Sequence, residues 1–186
     1  MKLSFSIQNW KGIHWNEFLR AAVSTRMSGI ELYDIAGPVF AGKESPANPE
    51  LAPSIRRRLI SDGLAVSCIN TVADFTDPSF MREMEECIRI AVNLGIPYIG
   101  IHTSSSDAGT CADVIGNILD RVGTKPVIVL VETSESYADT EALRNLLNRF
   151  SDDRLAALWD MYSTCYFAQE DAEKTITNLG AYVRHV

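Results

Sequence analysis

The sequence predicts an α/β fold built on a parallel sheet. Three observations carry that expectation. Short β-rich runs alternate with amphipathic stretches of helical period. Several runs are almost wholly apolar, as strands covered on both faces must be. Run centres fall about every 26–35 residues, the length of one strand-plus-helix unit. Regular alternation of this kind means right-handed crossovers between parallel strands. Two architectures satisfy it: an open doubly wound sheet, or a TIM-type (β/α)8 barrel that is incomplete, with six βα units and the start of strand 7. A full barrel takes about 250 residues and at least about 200, whereas this chain has 186.

The elements follow in order. The first run is Leu3–Gln8 and the second Gly29–Asp34. After the second, the Pro-rich stretch Gly37–Pro53 reads as a long loop on the side of the sheet where sites usually lie. The third run is Leu64–Asn70. Asp77-Pro78 then reads as an N-cap with proline at the first helical position. That helix carries Phe80, Met84, Cys87, Ile88, Ala91 and Leu94 on one face, and Gly95 follows as its terminating residue. Pro97–Thr103 is the fourth run. Val114, Ile115, Ile118, Leu119 and Val122 mark the next helix, before Gly123. Pro126–Thr133 is the fifth run, with Val127-Ile128-Val129-Leu130-Val131 at its centre. Leu143, Leu146, Leu147 and Phe150 form a further apolar stripe, ahead of the sixth run at Arg154–Met161. A seventh run begins at Tyr182.

Composition bounds the function. One domain over residues 1–186 is expected, since the chain is long enough for a core and too short for two ordinary domains. An apolar share of 46% against 22% charged excludes the disordered classes. No apolar run reaches the roughly 18–20 residues that span a bilayer, so no membrane partner is expected. The N-terminus turns polar too early for a signal peptide. A net charge of −7 and a pI near 4.9 disfavour nucleic acid. Arg56-Arg57-Arg58 reads as a solvated helix face. Cys68, Cys87, Cys111 and Cys165 lie 19, 24 and 54 positions apart, which fits reduced thiols in a cytoplasmic protein. Gly37 to Lys43 mimics the start of a phosphate-binding loop, but Glu44 stands where Ser or Thr would hold magnesium, so an ordinary loop is expected.

The stronger chemical signal is the place of two acids. Glu132 ends the most apolar run, and Asp160 ends the next, in Leu158-Trp159-Asp160. A carboxylate directly after apolar strand residues is costly to bury unless paired or metal-bound. Carboxylates on consecutive strand ends of a barrel would converge on its catalytic face. Such hard oxygen donors suit a divalent metal, Mn2+ or Mg2+ ahead of Zn2+ or Co2+. The other reading is that each acid caps the loop or helix that follows it.

Gly29-Ile-Glu-Leu-Tyr-Asp34, the Cys87–Gly95 helix end with Ile96-Pro97-Tyr98-Ile99, Val131-Glu132-Thr133 and Leu158-Trp159-Asp160 together resemble the xylose isomerase-like TIM barrels. That superfamily holds sugar and sugar-phosphate isomerases and epimerases, and endonuclease IV-type nucleases. The resemblance runs from strand 1 to the start of strand 7. It implies a metal held by Glu on strand 5, Asp on strand 6, His on strand 7 and Glu on strand 8, of which Glu132 and Asp160 match the first two. Members often carry a substrate-touching His three positions after the strand 6 Asp, and here that place is Ser163. His185 would be the first of the strand 7 histidine pair, which is not the ligand.

Other candidates lie beside these. His102 ends the fourth run and points to the same face, as a substrate or outer contact. Trp10 and Phe75 follow the first and third runs, where aromatics could wall a sugar pocket, with loop packing as the alternative. Glu31 alternates with Ile30 and Leu32 and needs a partner for its charge on either face. The reaction implied is metal-assisted proton transfer alpha to the carbonyl of a small carbohydrate, through an enediolate, with Glu132 as ligand and acid–base group and Asp160 as ligand. The alternative is a vestigial, non-catalytic binding barrel. A nuclease would need more histidine ligands than the three present. Unpaired barrel edges would favour association of copies.

Overall fold

A computed structural model describes residues 2–8, 10 and 12–186. The first half runs β1 (Ser4–Ser6), α1 (Trp15–Ser24), β2 (Gly29–Tyr33), α2 (Ala52–Ser61), β3 (Ala65–Asn70) and α3 (Phe80–Leu94). The second half runs β4 (Tyr98–Ile101), α4 (Ala108–Val122), β5 (Ile128–Glu132), α5 (Thr140–Leu147) and β6 (Leu155–Leu158). The short α6 (Met161–Tyr166), α7 (Ala172–Leu179) and β7 (Val183–His185) complete it. The seven strands form one sheet in sequence order, every neighbouring pair parallel. Each expected strand is present, shortened by one to four residues in all.

The sheet is curled. In a flat sheet the five steps from β2 to β7, each about 4.8 Å, would separate them by roughly 24 Å. Instead the Glu31 carboxylate of β2 bonds directly to His185 Nε2 of β7. That contact answers the question left by the sequence: Glu31 faces the inside of the curl, and its partner is His185. Among the described residues no ladder joins β1 to β7.

Period-two alternation sorts the side chains into two apolar layers. Cys68, Leu130, Ala156 and Leu158, with Tyr98 and Ile128 against them, fill the concave face. The convex face carries Ile69, Ile99, Val129, Val131 and Ala157 in register. It packs against Phe18, Met84, Ile88, Ile115, Ile118, Leu143 and Leu146 of the helices, all buried. This burial is why strands β4 to β6 are so apolar.

Two local expectations are corrected. Helix α3 starts at Phe80, not at Asp77-Pro78. Asp77 accepts from the Ser79 backbone N–H and hydroxyl, both at 2.7 Å, and its carbonyl accepts from Phe80 N–H. Asp77 therefore closes a turn of its own, and the α ladder begins only after it. The Gly37–Pro53 loop contains two 3-10 turns, Pro38–Phe40 and Pro49–Leu51, and its last residue already lies in α2. Gly95 does end α3 in the left-handed region, at φ 74°. Arg56, Arg57 and Arg58 are exposed on α2. All four cysteines are free, three buried and Cys165 exposed. No helix among the described residues is long and apolar enough to cross a membrane.

Candidate functional site

The concave face opens at the C-terminal ends of the strands into a recess of about 270 Å3. That is just under the size range of typical small-ligand pockets. Glu132, Asp160 and His102 all line it. The parallel ladder brings them there. Each strand delivers its last residues to the same rim, and Thr133 ties the two acid-bearing strands together. The Thr133 N–H donates to Leu158 O at 2.9 Å, and the Asp160 N–H donates to Thr133 Oγ1 at 2.8 Å.

Glu132 is held against ionisation. Burial raises its pKa above the usual carboxylate range, and the nearby Asp160 charge adds to the rise. His102 and a 3.3 Å hydrogen bond from Ser134 Oγ act the other way without cancelling it. A carboxyl that is reluctant to lose its proton, in a polar recess, is a group that can exchange a proton with a ligand.

Asp160 is engaged differently. Its Oδ1 accepts from Tyr162 N–H at 2.9 Å and its Oδ2 from Ser163 Oγ at 2.6 Å, so it caps the start of α6. Ser163 is buried and bonded to Asp160 rather than presented to the recess. A divalent ion held by these residues alone would have two carboxylates, one of them already accepting two hydrogen bonds. No group of three His, Cys, Asp or Glu side chains able to hold a metal exists among the described residues. The donor set therefore does not by itself fit the divalent ion that the resemblance implies.

The aromatic candidates separate. Trp10 is 45% exposed and lines an adjoining recess that shares Gln8 and Tyr33 with the first. Phe75 is buried in the core, its ring 5.3 Å from that of Phe80, and does not line the cleft. Its position just after a strand suggested a wall residue, but the turn to Asp77 folds it inward under α3.

Several lining residues were not singled out in the sequence: Gln8 just after β1, Tyr33 and Asn70 at the ends of β2 and β3, and Glu135 after β5. Glu135 sits at φ 48°, a left-handed conformation unusual for a side-chain-bearing residue, and no local sequence signal marks it. Gly100 has a packing reason to be glycine. A Cβ there would lie 2.0 Å from Asn70 Oδ1 and 3.2 Å from Leu158 Cδ1.

No protein-family model matches the chain, and no curated protein matches it. Solved structures do. A xylose isomerase domain protein from Planctomyces limnophilus superposes with a TM-score of 0.73 at 18% identity, over 98% of this chain and 70% of that one. The IOLI protein, crystallised with a binding zinc atom, gives 0.78 at 14% identity, over 98% and 70%. A D-allulose 3-epimerase from Methylomonas sp., in complex with D-allulose, gives 0.73 at 12% identity, over 100% and 71%. At these identities the likeness is one of fold, and the fold this chain shares is that of the xylose isomerase-like proteins.

Proposed function

We propose that this chain carries most of a sugar isomerase or epimerase-type barrel, six βα units and a seventh strand of eight, and that its cleft moves a proton alpha to the carbonyl of a small carbohydrate. The observation that carries the reading is Glu132: a carboxyl with a raised pKa at a strand end, facing a polar recess beside His102. Glu132 would take the proton from the carbon next to the carbonyl and return it to the neighbouring carbon on the same face of the enediolate. Asn70, His102 and Tyr33 would hold the substrate oxygens, as polar side chains converging on one recess can. Glu132 and Asp160 are only two donors for a divalent ion, so the acid–base chemistry is what this chain's own residues supply.

The test is proton exchange. Incubated with ketoses in D2O, with and without Mn2+, the protein should wash deuterium into the position alpha to the carbonyl, read by NMR. Glu132→Gln should slow that exchange by about 10²–10⁴-fold, the usual worth of a general base. Absence of exchange with every ketose, with or without metal, would overturn the reading. The vestigial binding reading would then stand in its place. It already has one observation in its favour: both Asp160 oxygens are taken up by the α6 cap.

Among the described residues β1 and β7 each have a strand neighbour on one side, which supports a further part of the proposal, association of two copies along their outer edges. Light scattering after size exclusion should report a dimer; a monomer at all concentrations would remove that part.

A further inference from the structure

We infer that the site takes an elongated ligand, with a hydroxylated carbonyl head over Glu132 and an apolar substituent lying against Trp10. The head group rests on the function proposed above; the substituent goes beyond it. Two recesses meet at Gln8 and Tyr33, which line both. The first is polar and carries the acids. The second, about 310 Å3, is walled by Ile7, Trp10, Ile13, Pro38 and Val39. Its one carboxylate, Asp34, is turned to its own chain, its Oδ1 accepting from the Ala36 N–H at 3.0 Å.

Trp10 is the telling residue. It is 45% exposed, yet its ring meets the Phe5 ring edge-on at 4.9 Å, and its backbone N–H donates to Ile7 O at 2.8 Å, which fixes the chain that carries it. An indole fixed in a concave apolar wall offers contact area without an ordering cost on binding. A bare small sugar seated over Glu132 would leave that wall in water, because its hydroxyls match the polar recess and have nothing to offer Ile13 or Val39. A substrate joined to an alkyl or aryl group would fill both recesses at once. The class selected is therefore a short polyol ketone carrying one apolar substituent at the end remote from the reacting carbon.

The experiment compares erythrulose, an open-chain keto sugar, with its 4-O-benzyl ether by titration calorimetry. The Trp10 indole N–H is followed by 1H–15N NMR in parallel. The ether should bind about tenfold tighter, as burial of part of an aromatic group allows, and should shift the Trp10 resonance. The ratio of the two affinities should fall to about one in Trp10→Ala and also in Ile13→Asn, a second variant in case the first unfolds. No gain from the benzyl group, or a gain that survives both variants, overturns the inference, as does failure of both compounds to bind. Glu132→Gln reads the head group separately. If it leaves both affinities unchanged while the Trp10-dependent gain persists, the proposed head-group chemistry falls and the apolar recess stands.

Discussion

Glu132 ionises against burial and against the Asp160 charge, so its raised pKa is also a statement about stability. The folded chain holds the Glu132 proton more tightly than the unfolded chain does. The stability this contributes is full below the unfolded carboxylate range and is lost as pH rises through the raised value. Glu132→Gln cannot ionise and keeps the shape, so it should melt above wild type at neutral pH, with the gap closing toward acid. Thermal melts followed by circular dichroism between about pH 4 and pH 8 check this; a gap that widens in acid contradicts it. Glu132 and Asp160 were legible in the sequence because a lone acid directly after apolar strand residues has few explanations. Gln8, Tyr33 and Asn70 were not, since polar residues end many strands and only the register decides which of them face inward. The capping role of Asp160 could be named as an alternative but not chosen, because the choice depends on where α6 begins.

At the scale of elements, the strands were legible because burial on both faces writes continuous apolar runs, and the helices because one-sided burial writes a stripe. The start of α3 was misplaced because Asp77 serves its own turn, a competition between side chain and helix that residue types alone do not settle. What holds the loop before α3 is Glu83, in the first turn of that helix. Its carboxylate accepts from the Val72 and Ala73 N–H groups, both at 2.9 Å. Glu83→Ala should release that loop, at a cost of about 1–3 kcal/mol for hydrogen bonds to a charged acceptor. Hydrogen exchange should then quicken at Val72 and Ala73 and not at the β3 amides; unchanged exchange at those two amides would show that the loop is held by other means. Packing between strands makes an independent prediction. Gly100→Ala should cost about 1–3 kcal/mol in urea unfolding, from overpacking against Asn70. The double variant Asn70→Ala, Gly100→Ala should recover most of it.

For the molecule as a whole the question is what keeps a seven-stranded sheet curled when, among the described residues, β1 and β7 are not laddered together. Twist between neighbouring strands bends the sheet but does not fix how far it closes. The Glu31–His185 contact spans the concavity, from the second strand to the last, and both side chains are mostly buried, at 18% and 15% exposure respectively. Cys68 and Tyr98 lie on the same concave face, so neither polar group has water as an easy substitute. Removing one partner leaves the other polar group without its bond, and His185→Ala or Glu31→Ala should each cost about 1–3 kcal/mol. If the two act as one cross-sheet tie, the double variant should cost little more than either single one, and a double-mutant cycle by urea unfolding measures that coupling. Additive costs would mean that the contact contributes nothing of its own, and that the curl is set by the apolar filling of Cys68, Leu130, Ala156 and Leu158 alone.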